Sequence, residues 1–454
     1  MVENRLNKVY AILKKVIAIN KTIAAIMAIV LLCPGLSGCY DSVEIDELAY
    51  VIGIGLDKGK TNFLKMTFQI AVPRNIGGGS GQGGGAGGEG GGGNETVTVT
   101  TLESPSIYSG LNMANTYISK KLNMSHAKIL VFSEELAREG IHKYIHAIIR
   151  GKEFRPNMFL VVSRESAEKY LRDTKPLLEV NPAKYYEMNY RAFEYTAFTA
   201  NTQLINFYLQ EECTCSQAVA TLANTSRYKS SEEYNLQGST YPEKGRAYPF
   251  EGDFKAGDMP KTGEMKTEIM GLAVFDGDKM AGELDGEETM FYLMLTGQYK
   301  YAYVTIPDPY EENQFVLLNI KQSRMPSHDA AIVGERPEIK ASIRLEADIL
   351  SIQSGYNYES PENVSILEKK AEEFIKTGMT KFLYKTSKEF KSDICGFGKA
   401  LKAKYLTWDK WDRANWLGMY KDSVFSVDVE LKIRRTGLMI RTTPAYSTKG
   451  KELK

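Results

Sequence analysis

The sequence predicts an α+β protein with more than one domain: a mixed α/β N-terminal domain, and a C-terminal domain in which a long helix packs on an antiparallel sheet. The length of 454 residues exceeds the roughly 100–200 residues of an ordinary domain. Apolar and polar residues alternate over 339–349 and again over 425–433, the period of a strand with one buried face. Between them, apolar residues recur every three or four positions over 367–382, which indicates a helix. A sheet with one apolar face needs a cover, and this helix supplies it.

The N-terminal domain is predicted over residues 39–194. Apolar runs and alternating stretches predict three strands, and apolar residues at helical spacing predict two helices. The strands are expected at 64–70, 129–132 and 158–162, and the helices at 107–118 and 134–149. Strands and helices therefore interleave, as is typical of a mixed α/β domain.

Residues 195–262 are interpreted as a smaller element that connects the two domains. Most of this stretch is polar and rich in Asn, Ser, Tyr and Gly, and only 204–209 show helical spacing. The C-terminal domain is then predicted over 263–445.

An almost pure glycine tract occupies residues 77–93. A flexible chain of this length spans roughly 20–25 Å without a fixed shape, so the tract is predicted to be a floppy loop. A phosphate-binding glycine loop would need a fixed turn and a following helix, whereas a strand-like segment follows here at 96–100. The phosphate interpretation is therefore disfavoured.

Residues 1–38 have the order of a secretory signal peptide. Five basic residues precede a charge-free apolar run at 22–32, and this run has only about half of the ~20 residues that a membrane-spanning helix needs. Pro34 then interrupts any helix. An uncleaved signal anchor is the weaker alternative.

The residues after this break, Leu36-Ser37-Gly38-Cys39, resemble the bacterial lipobox, in which the cysteine receives a diacylglycerol thioether and becomes the first mature residue. We therefore predict Cys39 as the lipid attachment site, with Leu36, Ser37 and Gly38 as its lipobox. Two acyl chains suffice for stable membrane anchoring, whereas one is marginal.

Charge argues against a nucleic-acid partner. The whole chain has 57 basic and 56 acidic residues. Residues 1–38 contain five of the basic residues and one of the acidic residues, so the mature chain has 52 basic and 55 acidic residues and a formal charge of −3. Nucleic-acid binding would require a basic face.

Three cysteines remain once Cys33 leaves with the signal and Cys39 is acylated. Cys213, Cys215 and Cys395 are odd in number, so no disulfide framework follows. Cys213 and Cys215 lack further ligands for a metal, and we interpret them as structural or incidental.

His142 and His146 have the four-residue spacing that lets two imidazoles on a helix share a metal ion. A third ligand is not evident nearby in the sequence, and the pair is interpreted as part of an ordinary helix face. No metal or cofactor site is predicted.

Two further patterns resemble functional sites. The stretch 226–229, with Ser226 and Lys229, and the stretch 376–378 mimic the SxxK and KTG elements of penicillin-binding enzymes, but the third element is missing and 376–378 fall in the helical pattern. Trp408, Trp411 and Trp416 cluster near the C-terminus, where packing is favoured over sugar binding. No catalytic residue is predicted.

Three groups of residues resemble the Ger(x)C family, the GerAC-like lipoprotein C subunits of spore germinant receptors. The first group is Cys39-Tyr40-Asp41, Glu44-Ile45-Asp46-Glu47-Leu48-Ala49 and Ile52-Gly53-Ile54-Gly55-Leu56-Asp57-Lys58, where Tyr40 replaces the usual Trp. The second is His126-Ala127-Lys128, Phe132-Ser133-Glu134-Glu135-Leu136-Ala137 and Arg150-Gly151-Lys152-Glu153-Phe154-Arg155-Pro156. The third is Gly271-Leu272-Ala273-Val274-Phe275, Lys279-Met280-Ala281-Gly282-Glu283-Leu284 and Asp393-Ile394-Cys395-Gly396-Phe397-Gly398, followed by the Trp cluster. The glycine tract is a loop insertion relative to this pattern.

The resemblance implies a non-enzymatic subunit, lipid-anchored on the outer face of the spore inner membrane. It implies two integral-membrane partners, the A and B subunits, and a role in nutrient-triggered germination. Two alternatives remain open: a lipid-anchored solute-binding protein of a transporter, and a lipid-anchored cell-wall hydrolase.

Overall fold

A computed structural model describes residues 2–32, 44–61, 64–72, 96–225, 249–311, 313–439 and 441–442, together with two short strands near the C-terminus. The chain divides into two compact units, Met1–Leu48 and Ala49–Lys454. The first unit contains helix α1, Val2–Leu32. Among the described helices, none combines the length and apolar character needed to cross a bilayer.

The second unit contains two large sheets with helices on them. Its strands are β1 Leu48–Lys58, β2 Leu64–Ala71, β3 Val97–Ser104, β4 Lys121–Asn123, β5 Ile129–Ser133, β6 Phe159–Ser163, β7 Val219–Thr225, β8 Thr267–Asp276, β9 Lys279–Leu284, β10 Tyr301–Pro307, β11 Phe315–Gln322, β12 Ser327–Val333, β13 Arg336–Ile352, β14 Val424–Arg435, β15 Ala445–Tyr446 and β16 Glu452–Leu453. Its helices are α2 Ile107–Tyr117, α3 Glu134–Glu139, α4 His142–Arg150, α5 Ala167–Asp173, α6 Pro182–Tyr190, α7 Leu204–Glu211, α8 Gly286–Thr296, α9 Pro361–Tyr384, α10 Phe397–Lys402, α11 Trp408–Ala414 and α12 Trp416–Met419.

The first sheet has nine strands, in the order β3-β2-β1-β5-β6-β7-β8-β9, with β4 also paired to β1. Its centre is parallel: β1 pairs with β5, β5 with β6, and β6 with β7. Its two flanks are antiparallel. Helices connect the parallel strands, as such connections require, and the predicted mixed α/β character is confirmed.

The second sheet has five strands, in the order β10-β11-β13-β12, with β14 along β13. In β13 the alternating residues from Ile339 to Ile349 are buried, as the period of two predicts. Helix α9 buries Leu367, Ala371 and Phe382, and α9 packs against β14. The long helix on a sheet is therefore confirmed.

One pair in this sheet is not antiparallel. β14 runs parallel to β13, from Val424 opposite Glu338 to Arg435 opposite Asp348. A side-chain alternation identifies which face of a strand is buried but carries no information about strand direction. The long α-helical connection between the two strands makes the parallel pairing possible.

The first sheet extends beyond the segment that the sequence assigns to the N-terminal domain. β7 lies within the predicted connecting element, yet all seven of its residues are buried. β8 serves both halves, because Leu272 and Val274 join the core beneath α9 while Ala273 and Phe275 join the core of the first sheet. A strand buried on both faces explains why contacts place residues 49–454 in one compact unit.

The helix predicted over 134–149 is two helices. α3 ends at Glu139, and α4 begins at His142. Gly140 between them has φ +123, a backbone conformation that residues with a Cβ rarely adopt. The helix is therefore interrupted at a glycine, a break that apolar spacing does not reveal.

Candidate functional site

The predicted lipid site lies outside the described residues. Leu36, Ser37, Gly38 and Cys39 all fall in the gap between Leu32 and Glu44, so lipid attachment at Cys39 stays a prediction.

The two stretches that resemble elements of penicillin-binding enzymes, 226–229 and 376–378, lie in different parts of the chain. Ser226 and Lys229 lie outside the described residues. Lys376, Thr377 and Gly378 lie inside α9, as the sequence predicts. Gly378 packs against α8, where an added Cβ would lie 2.4 Å from the Phe291 ring. This glycine therefore permits two helices to approach closely.

A groove lined by both charged and apolar residues lies between α8 and α9, with a volume of about 690 Å³. Lys385 Nζ donates to Glu288 Oε1 at 2.7 Å on its wall. Burial raises the pKa of Glu288, and the nearby lysine opposes that rise. Glu288 also accepts from the backbone of Asp285 and caps α8. Both charged groups are thus paired within the fold.

The Trp cluster is mainly a packing feature. Trp411 and Trp416 are buried, whereas Trp408 is 58% exposed and lies under Lys402 Nζ, 4.5 Å from the ring centroid. Trp411 Nε1 donates to Thr214 Oγ1 at 2.8 Å. The favoured packing interpretation therefore describes two of the three rings.

Trp416 donates a hydrogen bond to a buried acid, Asp393, whose bonding is complete. The Asp393 carboxylate accepts four N–H bonds of 2.8–3.1 Å, and each of its oxygens accepts two. The donors are Gly396 N, Phe397 N, Gly398 N and Trp416 Nε1. Burial raises the pKa of Asp393 to about 6, although all four donors oppose the rise. This carboxylate holds the start of α10 against α12 and has no oxygen left for a substrate.

Asp57 plays a comparable part in the first sheet. It ends the Ile54-Gly55-Leu56-Asp57 stretch on β1, and its two oxygens accept from Ala167 N at 2.7 Å and Glu168 N at 3.0 Å. These are the first residues of α5, whose amides lack partners within the helix. Asp57 is thus a structural cap.

His142 and His146 meet two acids that are distant in the sequence. The histidines lie one turn apart on α4, with ring centroids 3.8 Å apart. Glu211, the last residue of α7, places Oε1 2.9 Å from His142 Nδ1. Glu212 places Oε1 3.0 Å from His146 Nε2. Spacing in the sequence does not reveal these partners, because they lie more than 60 residues further along the chain.

These residues contain the donor set of a metal site. His142, His146 and Glu211 each contribute one potential ligand atom, and these three atoms all lie within 4.8 Å of one another. The Glu211 side chain is 5% exposed, against 50% for His142 and 31% for His146. Burial raises the pKa of Glu211, and the two histidines oppose that rise.

A disulfide immediately follows α7. Cys213 and Cys215 are bonded, with Cα atoms 5.2 Å apart, and Cys395 is a free, buried thiol. The odd cysteine count gave no prediction of this bond. Cys213 and Cys215 pair with each other, so the third cysteine, Cys395, has no cysteine partner and remains a buried free thiol.

Comparison with known proteins gives consistent results along the chain. Residues 41–219 match the family model described as the spore germination protein N-terminal domain. Residues 270–437 match the model described as spore germination B3/GerAC like, C-terminal. The two matches occur in order and together span most of the chain.

Individual relatives agree with these models. Bacillus subtilis YfkR, which bears the name of a spore germination protein, is 24% identical over 423 residues, or 93% of this chain and 99% of the relative. Spore germination protein KC of Bacillus subtilis is 24% identical over 89% of this chain and 93% of its own length. A crystal structure of the GerBC protein has a TM-score of 0.45 at 14% identity, covering 86% of this chain and 99% of that one.

Proposed function

Because this chain belongs to the family of GerAC-like spore germination proteins, with a role related to germination, we propose that it is the lipid-anchored C subunit of a spore germinant receptor. The observation that carries the proposal is the ordered match of both family models, from residue 41 to residue 437. In this proposal the chain is not an enzyme and works with integral-membrane A and B subunits.

The sequence supports the anchor and its place. Cys39 follows Leu36-Ser37-Gly38 directly after a short apolar run, and a diacylglycerol there supplies the two acyl chains that stable anchoring needs. The mature chain would then lie on the outer face of the spore inner membrane, beside its membrane-embedded partners.

The packing supports a non-enzymatic role. Asp57 and Asp393 both lie within the stretches that resemble the family. Their carboxylate oxygens accept hydrogen bonds from backbone and indole N–H groups. A general acid or base must reach the proton that it transfers, and these carboxylates are occupied in the fold. In this proposal the membrane partners supply most of the germinant recognition.

The anchor is tested by replacing Cys39→Ala in the chromosomal gene. We expect the variant to lose incorporation of labelled palmitate, to leave the membrane fraction, and to reduce nutrient-triggered germination, measured as the fall in optical density of a spore suspension. Cys33→Ala is the matched control, because Cys33 lies in the same leader but outside the lipobox. Membrane retention and normal germination of the Cys39 variant would contradict the proposal.

The partners are tested by affinity isolation of the tagged chain from detergent-solubilised spore membranes. We expect two multi-span membrane proteins in the eluate. Recovery of the chain alone from germination-competent spores would count against a receptor complex. Calorimetric binding of a single small solute by the purified chain, without partners, would instead favour a solute-binding protein.

A further inference from the structure

We propose that His142, His146 and Glu211 form a binding site for a divalent transition-metal ion, with Zn²⁺ as its ordinary occupant. This site is independent of the anchor and of the proposed receptor role. It would join the face of α4 to the end of α7.

The geometry of the two helices supplies three converging ligands. Histidines four residues apart project from the same face of a helix and can bind one ion. Glu211 approaches the same point from α7, and the three ligand atoms lie within 4.8 Å of one another. Zn²⁺ binds imidazole nitrogen and carboxylate oxygen at about 2.0–2.2 Å, so tetrahedral ligand atoms lie about 3.3 Å apart. His142 is half exposed and can rotate by the small amount required.

The Glu211 carboxylate provides a second, independent observation. Its Oε1 contacts His142, but its Oε2 is buried and has no hydrogen-bond partner among the described residues. An unsatisfied buried oxygen of a charged group is costly. A cation coordinated at this carboxylate would remove that cost.

Charge around the site also favours a cation. Glu212 contacts the Nε2 atom of His146, and the field of Asp278 acts on Glu211. Two carboxylates, those of Glu211 and Glu212, therefore contact the two imidazoles, which bind metals in their neutral form. Glu212 is placed to fix the tautomer and orientation of His146, as carboxylates beside metal-binding histidines commonly do.

The donor set indicates which ions fit. Two imidazoles and one carboxylate suit Zn²⁺ and its neighbours among the transition metals better than Ca²⁺ or Mg²⁺, which prefer oxygen ligands. The nearby sulfur atoms of Cys213 and Cys215 are bonded to each other and do not compete as thiolates. Three protein ligands leave a fourth position for water or for a side chain of another protein.

The test is calorimetric titration of the purified, chelator-treated full chain in detergent with ZnCl₂. We expect one saturable site per chain. Glu211→Gln preserves side-chain size but weakens the ligand, and it should raise the Kd at least about tenfold. His126→Gln is the matched control, because His126 packs against Tyr50 and is not one of the three clustered ligands, and it should leave the Kd unchanged.

Thermal unfolding provides the second readout. Zn²⁺ should raise the unfolding midpoint of the wild-type chain and of His126→Gln, but not that of Glu211→Gln. If Glu211→Gln fails to fold, His142→Gln on the exposed face of α4 serves instead. Saturable binding that survives both substitutions would overturn the proposal. Absence of saturable Zn²⁺ binding by the folded wild-type chain would also overturn it.

Discussion

The buried carboxylate of Asp393 predicts a specific pH dependence of stability. Its pKa is raised from the ordinary value of 3.8 to about 6 by burial, so the folded chain holds this proton more tightly than the unfolded chain does. A carboxyl whose pKa is raised on folding stabilises the fold at low pH, and that stabilisation is lost as the pH rises from about 4 to about 6. Each pKa unit corresponds to about 1.4 kcal/mol, so the loss amounts to ~3 kcal/mol.

The perturbation that isolates this effect is Asp393→Asn, which removes the titration but keeps the size of the side chain. The free energy of unfolding of the wild type minus that of the variant should fall by ~2 kcal/mol between pH 4 and pH 7, because part of the whole effect is already lost at pH 4. Other titrating groups are shared by the two chains and cancel in this difference.

Urea unfolding followed by Trp fluorescence measures this difference, because all three tryptophans lie within residues 408–416 and Trp416 donates directly to Asp393. Asp412→Asn is the control, since Asp412 is exposed in the same region, and its difference from the wild type should not change with pH by more than about 0.5 kcal/mol. A difference that rises with pH would refute the reasoning. It would show that the four N–H donors outweigh burial and hold the pKa of Asp393 below its ordinary value.

Two further predictions concern packing and capping. Ile343→Ala should lower the free energy of unfolding by about 2–5 kcal/mol, because the side chain is buried on β13. Lys340→Ala, on the opposite, exposed face of the strand, should change the free energy of unfolding by less than about 0.5 kcal/mol. Equal losses in urea titrations of the two variants would contradict a strand with one buried face. Asp57→Ala removes the acceptor for the amides of Ala167 and Glu168 and should lower the free energy of unfolding by about 1–2 kcal/mol. Urea unfolding followed by circular dichroism measures this loss. An unchanged urea midpoint would show that Asp57 does not stabilise the start of α5.

Local periodicity accounts for the elements that sequence reasoning predicted well. The alternation in β13 and β14 and the apolar spacing in α9 reflect a face that each element buries regardless of which neighbour covers it. The same reasoning did not predict β7, because a strand buried on both faces has no alternation to detect.

The candidate metal site shows the corresponding limit for function. The spacing of His142 and His146 was visible in the sequence, but a third ligand was not, because Glu211 reaches them only through the packing of α7 against α4. Asp393 was similarly visible as part of a motif, whereas its role in bonding α10 to α12 required the positions of four N–H groups.

The sequence alone therefore determined the α+β class, the one-sided strands, the long helix, the family resemblance and the prediction of a lipid site at Cys39. Each of these depends on residues that are close together in the chain. The tertiary structure decided the parallel pairing of β14, the extension of the first sheet through β7–β9 and the meeting of two histidines with Glu211. Each of these depends on contacts between segments far apart in the chain, and such contacts follow from the packing of the whole fold.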